Sequence, residues 1–191
     1  MKRFAVLMMA LSLLFACIIP ASAAKMVQTF SNIYFQIYIP GDWVIDTSSQ
    51  ADYYGALDLG FMYSSDKRML IESKMNYYSD WAQDALWSSA SNQWADYLAF
   101  LLDDFKEETP EFITRFEAGK YPGALIKGTN SYGSYLYGEI MINAYAYGFY
   151  FYLLNEDDTV DSNLTDSEVE LFQSILETFS PTSITGATPT E

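Results

Sequence analysis

Histidine is absent from the 191 residues, and cysteine occurs once, at Cys17. These absences exclude a Ser-His-Asp triad, a Cys-His nucleophile, a zinc site built from His and Cys, and a disulfide framework. Basic residues are also scarce: Lys and Arg number 10 against 25 Asp and Glu, a formal net charge of −15. Nucleic acid and anionic lipid would repel such a surface, so neither is expected as a partner. The charge keeps the chain soluble and suits a basic partner or bound cations. No P-loop, dinucleotide fingerprint or G-x-S-x-G is present.

What is present begins with an export signal. Lys2 and Arg3 precede an apolar run over 4–19, and Pro20-Ala21-Ser22-Ala23 offers small residues at the cleavage positions. This pattern predicts a signal peptide over 1–23 and a secreted or extracytoplasmic protein, with no transmembrane span after its removal. The alternative is a membrane-anchored lipoprotein. Leu14-Phe15-Ala16-Cys17 resembles a lipobox, which would place a lipid anchor on Cys17, although Phe15 is bulky for its position. Half of the chain is hydrophobic, so residues 24–180 read as a single domain held by its core alone.

Along that domain, Ile33, Phe35, Ile37 and Ile39 alternate with Tyr34, Gln36 and Tyr38, the period of a half-buried strand. Pro40-Gly41-Asp42 is a turn. Ala56–Tyr63 and Met69–Tyr77 read as a hairpin closed by Ser64-Ser65-Asp66-Lys67. From 81 to 108 there is no Gly or Pro. A short helix is expected over 81–87. Trp94, Leu98, Leu101, Leu102 and Phe105 then recur at helical spacing, with Ser91 or Asn92 as N-cap and Thr109-Pro110 as stop. Strands are expected over 112–117, 124–129, 135–143 and 149–154, with turns at 121–123, 130–133 and 144–148. A last helix starts at Thr165, whose Glu168 completes a capping box, and ends before Pro181. The Ser/Thr/Pro-rich tail over 181–191, which the composition extends back to Ser180, has little to bury and is expected to be disordered. This order predicts an α+β fold, a central antiparallel sheet flanked by helices.

Two segments resemble a known family. Phe35-Gln36-Ile37-Tyr38-Ile39-Pro40-Gly41-Asp42-Trp43 is similar to the entry strand of PsbP-like domains, and Ile175-Leu176-Glu177-Thr178-Phe179 to their closing helix. The resemblance spans about residues 28–180 and implies an α/β/α sandwich. That family includes a photosystem extrinsic subunit, a Ran-binding nuclear import factor and many bacterial exported proteins. Its known members mostly bind other proteins and share no catalytic residues, so no functional residue carries over.

Two constellations stand out. Tyrosines crowd 132–152; period two puts Tyr135 and Tyr137 on one face of their strand, and Tyr150 and Tyr152 on one face of theirs. A wet face of that kind offers flat apolar bodies and hydroxyl tips to a sugar ring or a peptide; the plainer alternative is packing under a helix. The acidic loop that follows places Asp157, Thr159, Asp161, Asn163, Thr165 and Glu168 at positions 1, 3, 5, 7, 9 and 12 of a calcium-binding template. Ser162 stands where the template wants Gly, and Thr165 and Glu168 are equally explained as a helix cap. The residues taken as candidate metal ligands are Asp157, Thr159, Asp161, Asn163 and Glu168.

Trp81, Trp87 and Trp94 read as core anchors. The pairs Asp103-Asp104 and Glu107-Glu108 are adjacent on a helix and do not face each other, as glycoside hydrolysis would require. Ser64-Ser65-Asp66-Lys67 matches S-x-x-K formally, without the partner motifs of penicillin-binding enzymes. The expected function is a non-enzymatic, exported binding module that recognises a protein or a cell-envelope component, with no cofactor unless calcium. The alternatives are a carboxylate-dependent glycan hydrolase and a calcium or small-molecule carrier.

Overall fold

Most of the described residues lie in strands. The computed structural model describes residues 26–47, 52–53, 56–77, 94–142 and 145–182. The expected signal with Cys17, the short helix with Trp81 and Trp87, the N-cap at Ser91 or Asn92, and residues 183–191 lie outside them. The elements are β1 (Met26–Ser31), β2 (Phe35–Pro40), β3 (Val44–Asp46), β4 (Asp52–Tyr53), β5 (Ala56–Tyr63), β6 (Met69–Tyr77), α1 (Trp94–Asp104), a 3₁₀ turn (Lys106–Glu108), β7 (Glu111–Ala118), β8 (Tyr121–Asn130), β9 (Gly133–Ile142), β10 (Tyr145–Leu154), β11 (Val160–Asp161), α2 (Asp166–Leu176) and β12 (Ser180–Pro181).

They build two antiparallel sheets. The larger runs β3-β5-β6-β10-β9-β8-β7, with β4 added on β5 and β11 on β10; the smaller is β1-β2-β12. In the larger sheet β10 closes the gap between two meanders, pairing with β6 on one side and β9 on the other. One face of the large sheet packs against the small sheet and α2. There Phe35 lies against Phe149 (5.4 Å), Phe179 (5.2 Å) and Tyr147 (5.9 Å), all of them buried. α2 rests on β2 and β9. At Gly138 a Cβ would strike Leu176, so the glycine sets how closely that helix approaches. At its start, Glu168 accepts the Thr165 N–H at 2.9 Å, as a capping box requires. The opposite face carries a second apolar cluster in which Tyr97, Leu101 and Phe105 of α1 and its C-terminal end cover Ala124, Ile126, Tyr135, Tyr137 and Met141.

This architecture corrects the expected α+β class, the central antiparallel sheet flanked by helices in an α/β/α sandwich. Strands dominate, and the fold is β-rich. The reason is one of area. Each of the two α-helices among the described residues has 11 residues, about 16 Å of length, while seven strands make a sheet about 30 Å wide. Helices that short leave most of a face bare, and a second sheet covers it instead. The small sheet closes with β12: Ser180 and Pro181 pair with Gln36 and Phe35, and the Thr182 N–H donates to the Tyr34 carbonyl at 2.9 Å.

Two expected turns are strand interiors. β10 starts at Tyr145 and runs through Gly148, and β8 starts at Tyr121 and runs through Gly123. Both glycines lie under aromatic rings of adjacent strands, Tyr137 over Gly148 and Phe116 over Gly123. A glycine that makes room for a ring carries the same letter as one that makes a turn. The hairpin of β5 and β6 falls as expected, with Ser64-Ser65-Asp66-Lys67 as its turn. The Ser64 hydroxyl donates to Asp66 (2.6 Å) and accepts from the Met69 N–H (2.9 Å), so this serine is a turn residue.

Candidate functional site

The face under α1 carries all four tyrosines singled out from the sequence. Tyr137 sits opposite Tyr150 in the β9–β10 ladder, their rings 4.7 Å apart. Tyr135 lies 5.5 Å from Tyr150 and 5.9 Å from Tyr152. Tyr150 and Tyr152 are 6.2 Å apart with ring planes 8° from parallel. The four therefore form one aromatic group, but it spans two environments. Tyr135 and Tyr137 are buried, while Tyr150 and Tyr152 are half-buried.

The buried half is a support. Glu139, 1% exposed, accepts the Tyr97 hydroxyl on one carboxyl oxygen and the Tyr137 hydroxyl on the other, each at 2.7 Å. Tyr97 belongs to α1, so this carboxyl ties the helix to β9. Burial pushes the Glu139 pKa up, the two hydroxyls oppose that shift, and Asp104 adds to it. The Tyr135 hydroxyl donates to Glu108, beyond the end of α1. Burial raises Tyr135, Tyr150 and Tyr152 well above the ordinary phenol range, and neighbouring carboxylates reinforce it. None of these phenols ionises near neutral pH, so they act as ring surfaces and hydrogen-bond donors.

Of the half-exposed pair, Tyr152 opens onto a trough. One hollow of about 560 Å³ has Leu70, Glu72, Tyr152 and Leu154 on its floor, and Tyr132 and Asp158 beside them. A second, of about 580 Å³, takes in Val44, Asp46, Tyr63 and Lys67, and shares Leu70, Leu154 and Asp158 with the first. The two join across the end of the large sheet, from β3 to the β8–β9 turn. Register explains the floor: Val44 pairs with Tyr63, Tyr63 with Leu70 and Leu70 with Tyr152, so one row of side chains crosses β3, β5, β6 and β10 on the same face. Tyr132 is 79% exposed and Val44 57% exposed. Burial and then Asp46, Glu72 and Asp158, in that order, raise the Tyr63 pKa. The Lys74 ammonium lies 5.1 Å from the centre of the Tyr150 ring and 3.1 Å from Glu72.

Of the candidate calcium ligands, Asp157, Asp161 and Glu168 are each engaged with a neighbour. Asp157 accepts the Thr159 hydroxyl (2.6 Å) and N–H (3.2 Å), which hold its carboxyl below the usual range. Asp161 accepts from Asn163 (3.0 and 2.8 Å) and faces Arg68 at 3.7 Å. Glu168 is engaged with Thr165. Within the segment, Val160 and Asp161 form β11, paired with the end of β10. Among the described residues, no group of three or more Asp, Glu, His or Cys could hold a metal ion. No described helix is long and apolar enough to cross a membrane.

Tyr63, Leu70, Glu72, Glu139 and Asp158 were not singled out from the sequence. For Glu139 the signal was available: period two places it in line with Tyr135 and Tyr137, a carboxyl on an inward face.

No protein-family model matches the chain. No curated protein matches it either. Among solved structures, a protein from Bacteroides thetaiotaomicron VPI-5482 is similar over 82% of this chain and 49% of its own, at 13% identity and a TM-score of 0.45. This chain thus spans about half the length of that neighbour.

Proposed function

We propose that this protein is an exported, non-enzymatic binding module that takes a protein or cell-envelope component into the trough at the end of its large sheet. The observation that carries this reading is the split aromatic group. Tyr135 and Tyr137 are locked in place by α1 and the Glu139 network, and they hold Tyr150 and Tyr152 in near-parallel orientation at the solvent edge. A preorganised ring surface beside an open hollow of about 560 Å³ favours binding, because little side-chain freedom is lost on association. Glu139, whose pKa burial raises, is sealed away and lines neither hollow, so it is placed to hold the fold and not to meet a ligand.

The test is a two-dimensional NMR titration of the isotopically labelled protein with soluble peptidoglycan fragments and with peptides of varied charge. Shifts gathered around Tyr63, Leu70, Tyr132 and Tyr152, with every added compound recovered intact, support the reading. Shifts elsewhere, or a cleaved product, contradict it.

A further inference from the structure

The trough carries more chemistry than a generic hydrophobic hollow. Among the described residues, three carboxylates, Asp46, Glu72 and Asp158, and one cation, Lys67, line it, and Lys74 beside it pairs with Glu72. The carboxylates stand among the apolar bodies of Tyr63, Tyr132 and Tyr152. The surface next to it already holds an ammonium in this way: Lys74 rests on the Tyr150 ring and on Glu72. Ring face plus carboxylate is the arrangement that a cation prefers once part of its water is removed. The chain as a whole adds a net charge of −15, which would draw a basic ligand in.

Dimensions narrow the ligand. The floor crosses β3, β5, β6 and β10 and reaches the turn beyond β9. Four strand spacings make about 19 Å, the length of about six residues of extended chain. Asp46 on β3 and Glu72 on β6 are two strands apart, about 10 Å. One ammonium reaches only one of them, whereas cationic side chains two or three residues apart on an extended chain reach both. Resting on the binding-module reading above, we infer that the trough takes an extended, Lys- or Arg-rich peptide segment of a partner protein, its cationic side chains set between the tyrosines and the three carboxylates.

The experiment is isothermal titration calorimetry on the whole protein. It uses a blocked hexapeptide of alternating Lys and Ala, matched Glu/Ala and Gln/Ala hexapeptides, spermidine, and a soluble peptidoglycan disaccharide-peptide. The Lys/Ala peptide is expected to bind alone among the hexapeptides and more tightly than spermidine, and to weaken as salt is raised. Asp158→Asn and Glu72→Gln each weaken it by about two- to fivefold, and the pair by about tenfold. Asn is tolerated at position 158, whose φ of 62° is left-handed, so that variant keeps its backbone. Equal binding of the Gln/Ala peptide, equal binding of spermidine, or indifference to both substitutions overturns the inference. If the peptidoglycan fragment binds and Tyr132→Ala and Tyr152→Ala abolish it while the Lys/Ala peptide does not bind, the inference falls and the binding-module reading stands. If no ligand depends on those two tyrosines, both fall.

Discussion

Replacing Tyr97 by Phe removes one hydroxyl and little else, and it tests the network that fixes α1 on the sheet. The Tyr97 hydroxyl donates to Glu139 at 2.7 Å, and the same carboxyl receives Tyr137 at 2.7 Å. The size of the loss depends on whether Glu139 is charged. Burial raises its pKa in the folded protein above the ordinary 4.5. The stability that Glu139 contributes is therefore fully present below that ordinary value and is lost as pH rises through the folded value. Tyr97 opposes this loss, because its hydrogen bond strengthens when the acceptor ionises. Tyr97→Phe costs about 0.5–1.5 kcal/mol while the folded carboxyl is protonated, the worth of a neutral hydrogen bond, and about 1.5–3 kcal/mol once it is ionised, the worth of one to a charge, so the cost should be larger at pH 9 than at pH 5. Both pH values lie above the isoelectric point of about 4.1, which keeps the protein soluble. Urea unfolding followed by circular dichroism at the two pH values measures the difference. Tyr137→Phe should repeat the pattern. A cost that is equal at both pH values, or larger at pH 5, would refute the idea that the two hydroxyls support a charge.

Other perturbations follow from the same packing. Phe35→Ala empties a fully buried site between Phe149 and Phe179 and should cost about 3–5 kcal/mol in urea unfolding; a loss below about 1 kcal/mol would mean that the small sheet is not a true second layer. In Gly148→Ala the new Cβ would stand 2.6 Å from the Tyr137 hydroxyl, and forcing that ring aside should cost about 1–3 kcal/mol; an unchanged midpoint would contradict it. Millimolar calcium should leave the melting temperature unchanged, since Asp157, Asp161 and Glu168 are each engaged with a neighbour; a rise that a chelator reverses would restore the loop as a metal site.

The sequence was legible where local chemistry and the fold agree. The β5–β6 hairpin follows from alternation bracketing a polar turn, and the start of α2 from Thr165 and Glu168. Period two also grouped the four tyrosines correctly by face. It could not say which of them α1 would cover, because that depends on the crossover that sets β10 between β6 and β9. The trough was illegible for the same reason: Val44, Tyr63, Leu70 and Tyr152 come from four separate segments and meet only through strand order. β12 escaped notice because two residues carry no period. The fold class was misjudged because two real amphipathic helices were credited with covering a sheet wider than they are long.

The claim that matters most is that this molecule meets its ligand at the end of the large sheet. Amide hydrogen exchange, with and without the Lys/Ala hexapeptide at saturation, tests it directly. Protection should concentrate at residues 63–70, 130–133 and 154–160 and leave β2 and α2 unchanged. Protection centred on β2 and α2, or none at the sheet end, would contradict it.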